Sequence, residues 1–339
     1  MNSNAGLNES QWLKNVEMES VPCDVCGSYD AKVLFKGRDR LLGLPGRFYM
    51  VQCTKCGLIW QSPRPTQDTI SAYYPSNYEP FSRAIDDEPL LRRLDRRYGM
   101  HKRCRAIIKR QSGGKLLDVG CATGNFLYEM SKHKGWEVMG VEPDHYASSY
   151  ARQRLGLDVR TCTLREANLP ADAFDVITMW NVLEHLHHPM AALIEVHRIL
   201  KKGGWFVFSI PNVEGLEARL FGPLWMGWEM PRHLYLFPRS TLTRMLSDVG
   251  LKIEDTMCLC GSYLSFLLSL QFYLENRFSE KPWPRWIMRL AHSASVRIMS
   301  APLFWMLDQM KQCSLITVFS RKSNLAPSLL LQNRTSSYD

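Results

Sequence analysis

The period of apolar and polar positions changes along the chain, and the changes mark out its elements. Strands are predicted over Lys115–Val119, Glu137–Val141, Val159–Thr161, Asp175–Trp180 and Trp205–Ile210, where short apolar runs stand between turn residues. Helical periodicity fills the gaps over Phe126–Lys134, His145–Leu155 and Pro189–Leu200. A further helix over Arg239–Val249 leads to a strand at Leu251–Met257, and Ser314–Ser320 supplies a late strand. Strand and helix alternating at this spacing imply parallel strands joined by right-handed crossovers. The expected fold is therefore α/β, a doubly wound and mostly parallel seven-stranded sheet.

The flanking text reads differently. Residues 1–20 are polar and expected to fray, with Gln11-Trp12-Leu13 as a docking turn. Residues 21–65 carry cysteine pairs, glycines and β-prone runs at Lys32–Phe35 and Phe48–Gln52, which suits a small metal-stapled β module. Residues 66–111 read as a helical linker punctuated at Tyr73–Pro80. The α/β domain is assigned to 112–260 and 311–322, and 323–339 is a tail without clear period. Between its last two strands, residues 261–310 form an insertion. There Tyr263, Phe266, Leu267, Leu270 and Leu274, and again Ile287, Leu290, Ala291, Ala294 and Ile298, fall at helical spacing and predict amphipathic helices.

Composition narrows the class. With 339 residues, 45% apolar and 22% charged, the chain is an ordinary globular protein with room for one full domain and a smaller module. Its net charge of +9 is concentrated in Leu90–Arg110, where the bases alternate with Leu94, Tyr98 and Ile107. That pattern reads as the solvated face of an amphipathic helix. Met1–Ser20 has no basic segment followed by an apolar run, which predicts a cytoplasmic protein. No stretch of the insertion suits a bilayer span. Lys281, Trp283, Arg285, Trp286 and Arg289 nevertheless make an edge of the kind that rests on the inner face of a membrane. The other reading of 261–310 is a cover over the pocket or a homodimer face.

Of the ten cysteines, four form two close pairs, Cys23-x-x-Cys26 and Cys53-x-x-Cys56, each followed by glycine. Four thiolates complete a tetrahedral Zn²⁺ site with no open position, the pattern of structural zinc. Metal binding would add folding energy that so short a segment lacks. The remaining cysteines read as scattered buried thiols rather than a disulfide framework. Few bases lie inside the module, which disfavours a nucleic-acid partner.

The centre of the case is Leu116-Leu117-Asp118-Val119-Gly120-Cys121-Ala122-Thr123-Gly124-Asn125-Phe126, a strand running through a glycine turn into a helix. Its glycines fall as G-x-x-x-G, not as the G-x-G-x-x-G of dinucleotide sites, which disfavours a nicotinamide-dependent oxidoreductase or epimerase. Asp118 at the strand end would repel a pyrophosphate and welcome an ammonium group. S-adenosylmethionine carries that ammonium and no phosphate. The second strand ends at Glu142, a carboxylate placed to accept from ribose hydroxyls.

With Asn168-Leu169-Pro170, Ala173–Ile177, Asn181–Leu186 and Leu200–Gly204, this set resembles the class I S-adenosylmethionine-dependent methyltransferases. The resemblance runs over about Leu116–Lys322, and the cysteine pairs resemble a zinc-ribbon-bearing branch of them. It implies that Gly120, Cys121 and Gly124 form the bend around the methionine part, that Asp118 orients the ammonium and that Glu142 holds the ribose. It places Thr163 or Leu164 by the adenine and Trp180-Asn181 along the pocket.

At the acceptor end the candidate bases are His185 and His233. His185 lies in Asn181-x-x-Glu184-His185, where similar ubiquinone-pathway O-methyltransferases hold a divalent metal with Glu-x-x-Glu-His. Here the first carboxylate is Asn181, so Glu184-His185 reads first as structural. His233 sits in Trp228–Phe237, an aromatic segment suited to cover a pocket. The expected function is methyl transfer from S-adenosylmethionine to a small-molecule, sugar or lipid-linked acceptor. A nucleic-acid-binding zinc protein with a degenerate methyltransferase domain is the rival from another class.

Overall fold

The computed structural model describes residue 12 and residues 14–75, 90–259, 262–278 and 285–323. A small module comes first. Strands β1 (Met18–Glu19), β2 (Ala31–Gly37), β3 (Phe48–Cys53), β4 (Ile59–Gln61) and β5 (Arg64–Pro65) precede a 3-10 turn at Ile70–Tyr73. Helix α1 (Leu90–Ile108) leads into β6 (Gly114–Val119), α2 (Asn125–Ser131), β7 (Trp136–Val141), α3 (His145–Leu155), β8 (Val159–Arg160) and β9 (Phe174–Trp180). Then follow α4 (Pro189–Ile199), β10 (Leu200–Pro211), α5 (Leu216–Phe221), β11 (Tyr235–Leu236), α6 (Arg239–Asp248) and β12 (Leu251–Met257). Helices α7 (Tyr263–Arg277), α8 (Arg285–Ala291) and α9 (Ala294–Gln309) intervene before β13 (Leu315–Lys322).

The main sheet has seven strands in the order β12-β13-β10-β9-β6-β7-β8. Its β10-β9-β6-β7-β8 pairings are parallel, and β13 runs antiparallel between β10 and β12. The chain winds outward from β6 in both directions. The switch of direction opens a crevice at the carboxyl ends of β6 and β9, where ligands of open α/β sheets sit. Leu116, Leu117, Val176, Ile177, Phe206 and Phe208 are fully buried, each contributing about 1.5–3 kcal/mol from removal of apolar surface.

The module is not a bead on a string. Its four-stranded sheet, β11-β4-β3-β2, is completed by Tyr235–Leu236, which pairs antiparallel with β4. Arg64, 1% exposed, donates to the Glu19 carboxylate, the His187 carbonyl and the Tyr235 hydroxyl. Asp24, between the first two cysteines, accepts from the Met190 amide at the start of α4. Thr241 in α6 donates to the Cys56 carbonyl at 2.7 Å. Trp12 packs edge-on against Tyr73.

Four expectations change. Helix α2 ends at Ser131, because the Lys132 and His133 amides turn back to Glu129 and Met130. The bases of Leu90–Arg110 are not all solvated: Arg110, in the turn after α1, pairs with Asp255 and stacks on Phe319, and Arg103 lies 4.5 Å over the Trp180 ring. Arg103 shares a helix face with buried Ile107. Cys258 and Cys313 are not separate thiols but a disulfide. The second apolar stripe of the insertion is broken between α8 and α9, where Ser293 caps the new helix through the Val296 amide. It is not a buried face, since Ile298 is 72% and Leu290 55% exposed. Lys281 and Trp283 lie outside the described residues. Among the described residues no helix is long and apolar enough to cross a membrane.

Candidate active site

The cofactor end is made by backbone geometry first. Gly120 turns the chain out of β6 at φ +68°, and a Cβ there would stand 2.7 Å from Val182 Cγ2. Gly124, at φ +77°, caps α2, and its missing Cβ lets Leu157 and Ala151 close in. Gly140 likewise leaves room for the Cys121 sulfur. Glycine is thus required at the bend both for its left-handed conformation and for close approach.

Two buried carboxylates flank that bend. Asp118 ends β6 and accepts from the Thr178 hydroxyl at 2.6 Å. Burial pushes its pKa up to about 7, against the pull of Thr178 and of the nearby Arg103 guanidinium. Glu142, at the end of β7, accepts from the Ala122 and Asp144 amides, both at 2.9 Å. Burial raises its pKa as well. Each carboxylate oxygen of Glu142 keeps a second lone pair, so the group can still take two hydroxyl donors. Arg103 is the residue that sequence reasoning missed here. The one local signal is its i, i+4 relation to a buried isoleucine.

The other expected cofactor residues spread along the same rim. Thr163 is exposed and bonds Glu166 through its amide and hydroxyl, while Leu164 is buried in the core. Trp180 packs edge-on against Phe126, and its buried indole nitrogen has no hydrogen-bond partner. Asn181 stands at φ +56°, with its side-chain oxygen accepting from Ser209 at 2.6 Å.

The expected bases are brought together. His185 lies in a 3-10 turn just after β9, and His233 lies in the loop before β11; their rings meet edge to face at 4.7 Å. His233 Nδ1 lies 2.7 Å from the Gly227 carbonyl, and His185 Nδ1 lies 3.0 Å from the Arg232 carbonyl and 2.9 Å from the Tyr74 hydroxyl. A carbonyl only accepts, so Nδ1 carries the proton and Nε2 presents a lone pair. Burial lowers both pKa values, that of His185 to about 3 with help from His233. Both rings are neutral at pH 7.

Carboxylates surround them. Glu229 Oε2 is 3.6 Å from His233 Nε2. Glu184 is fully buried, with neither oxygen hydrogen-bonded and its pKa pushed by burial up to about 8. One ligand atom each from Glu184, His185 and His233 lies within 4.8 Å of the others. Beneath them Arg232 and Asp39, both fully buried, form a two-point ion pair with distances of 2.9 Å. Sequence reasoning missed this pair, which spans 193 positions. In the module, the four cysteine sulfurs lie within 4.8 Å of one another, with Cys23 and Cys56 3.3 Å apart.

A glycine cradle flanked by two buried carboxylates fits a nucleoside that carries an amino-acid arm better than it fits a phosphate. The family model and the sequence relatives agree. Residues 92–256 match the family described as a methyltransferase domain. The chain is 27% identical over 199 residues to a Mycolicibacterium smegmatis protein named "Probable S-adenosylmethionine-dependent methyltransferase", covering 56% of this chain and 74% of that one. It is 28% identical over 156 residues to the ubiquinone biosynthesis O-methyltransferase of Thiobacillus denitrificans, covering 42% of this chain and 67% of that one. Among solved structures, an S-adenosylmethionine-dependent methyltransferase from Mesorhizobium loti has 16% identity and a TM-score of 0.44, covering 70% of this chain and 100% of that one. The class defined by sheet, bend and family match is the class I methyltransferase superfamily. The chain is an S-adenosylmethionine-dependent methyltransferase.

Proposed function

We propose that the chain methylates a small-molecule acceptor held beneath the loop from Trp225 to Leu236, and that its four N-terminal cysteines hold a structural Zn²⁺. The observation that carries the acceptor reading is the buried, neutral pair His185–His233, which the loop seals at the carboxyl end of β9. A site closed in this way suits a small molecule better than a polymer. The donor supplies a methyl group already activated on a sulfonium. What the protein must do is align the acceptor and exclude water. His233 Nε2 takes the proton of an oxygen or nitrogen acceptor, and Glu229 steadies the resulting imidazolium. At the donor end Asp118 orients the ammonium, Glu142 holds the ribose, and Thr163, Leu164 and Trp180 border the base.

The test uses methyl-labelled donor and a cell extract split by size. Label transferred to molecules below about 1 kDa supports the reading, on the size of ordinary pocket ligands; label confined to protein or nucleic acid overturns it. His233→Ala is expected to lower kcat about 10²–10⁴-fold with S-adenosylhomocysteine affinity unchanged. For zinc, one ion per chain is expected by emission spectroscopy, lost in Cys23→Ser/Cys56→Ser; metal-free protein would count against it.

A second reading of the same cluster is favoured by one observation, the two buried oxygens of Glu184 without partners. With two neutral imidazoles beside it, this carboxylate completes a set suited to a divalent transition metal. Asn181, bonded to Ser209, takes no part. The ligand set would then be Glu184, His185 and His233, with His233 a ligand instead of a base. Stoichiometric Mn²⁺ uptake in equilibrium dialysis, abolished by Glu184→Gln, would establish it. No uptake leaves His233 free to serve as the base.

A further inference from the structure

The turn between β2 and β3, residues Arg38 to Arg47, has no part in the reading above. It borders a cavity of about 460 Å³ that α7 closes with Glu275 and Asn276. We infer that this cavity binds the phosphate or diphosphate portion of an anionic acceptor through Arg38, Arg40 and Arg47. Asp39 would be the natural counter-ion, but it faces the other way. Both its oxygens are taken by Arg232, and Oδ1 also accepts the Leu41 and Leu42 amides at 3.0 Å.

The three arginines therefore make no close ion pair with Asp39. Among the described residues no carboxylate lies within ion-pair distance of them, and the buried Nε of Arg40 has no hydrogen-bond partner. Glu275 accepts from Gln271 instead. Burial and the neighbouring Arg38 lower the pKa of Arg40 against the opposing pull of Glu275 across the cavity, so the like charges there are only partly compensated. Guanidinium forks match phosphate oxygens two at a time. Gly43, at φ +67° with open space where a Cβ would stand, lets the backbone come close to a ligand. Asp39, which lines the cavity, pairs on its far side with Arg232, the residue before His233 in the chain.

The identity of the ligand as an acceptor rests on the small-molecule reading, but the site is read by binding alone and needs no turnover. Calorimetry with uridine diphosphate and with inorganic pyrophosphate is the first arm. Pelleting with phosphatidylcholine vesicles, with and without phosphatidylglycerol, is the second. The variants are Arg38→Gln/Arg40→Gln/Arg47→Gln and the exposed single change Arg47→Gln, each verified to bind S-adenosylhomocysteine normally. Expected is diphosphate binding that falls at least tenfold in the triple variant and severalfold in Arg47→Gln. Binding only to anionic vesicles, lost in the same variants, would mean that the phosphate is carried on a lipid. Absence of binding in both arms, or equal binding by wild type and triple variant, overturns the inference. Diphosphate binding with no labelled small-molecule product would leave this site standing while the acceptor reading fell.

Discussion

At the donor end of the cleft the bend and both carboxylates fall between Asp118 and Glu142, and neighbouring backbone fixes Glu142 through the Ala122 and Asp144 amides. At the acceptor end, Asp39, Tyr74, Glu184, Glu229, Arg232 and His233 arrive from three distant parts of the chain, and a buried ion pair locks them. The first end is a product of local turn chemistry. The second exists only once the module, the main sheet and the covering loop have packed. The difference predicts where each end is vulnerable: the acceptor end through global stability, the donor end through affinity alone.

The largest effect is expected at Asp39. Replacing it with alanine takes away the two-point carboxylate partner of the buried Arg232 guanidinium, and breaking one side of a buried pair costs about 3–5 kcal/mol. Chemical denaturation should show that loss, while S-adenosylhomocysteine affinity of the folded protein stays unchanged. A loss confined to affinity would break the comparison. Next comes Asp118→Ala, which removes a charged partner of the ammonium worth about 1.5–3 kcal/mol. Calorimetry should show binding weakened about ten- to a hundredfold with the fold intact.

Asp118 also sets a pH dependence. Its pKa of about 7 lies above its ordinary value because of burial, so the ionised form that an ammonium group needs is lost as pH falls through about 7. Affinity should therefore drop on the acid side and level off above it, and Asp118→Asn should flatten that limb. The linked effect on the free protein has the opposite sense. A carboxyl whose folded pKa is raised makes its most favourable contribution to stability below the unfolded value of about 4, and this is lost as pH rises through about 7.

The same contrast explains what could be read from the sequence. Strand β12 begins and ends where its apolar pattern does, and the mostly parallel character of the sheet was legible in strand–helix alternation, because periodicity is a local record of burial. The bend at Gly120 and the carboxylates beside it are also local, so their placement on one rim was legible. Arg103 was hardly so: among the many bases of α1, only its i, i+4 relation to buried Ile107 marks it as the one that turns onto Trp180. Nor was the Asp39–Arg232 pair, since pairing across 193 positions leaves no local pattern. The apolar residues of α9 mislead for a related reason. Helical spacing records a stripe but not whether anything covers it, and Ile298 and Met299 are among the most exposed apolar side chains of the described residues.

The smallest effect tests the joint between the two ends. Gly120→Ala forces a left-handed residue, at about 1–2 kcal/mol, and sets a Cβ 2.7 Å from Val182 Cγ2. Val182 opens the turn that carries Glu184 and His185, so the clash should pass from the donor bend into the acceptor cluster. The expected signature is a modest fall in S-adenosylhomocysteine affinity together with a fall in kcat. Adding Val182→Ala should restore kcat more than affinity, because it relieves the contact but not the backbone strain. If Gly120→Ala moved affinity alone and Val182→Ala changed nothing, the two ends would be mechanically independent, and the segment after β9 would merely lie beside the bend.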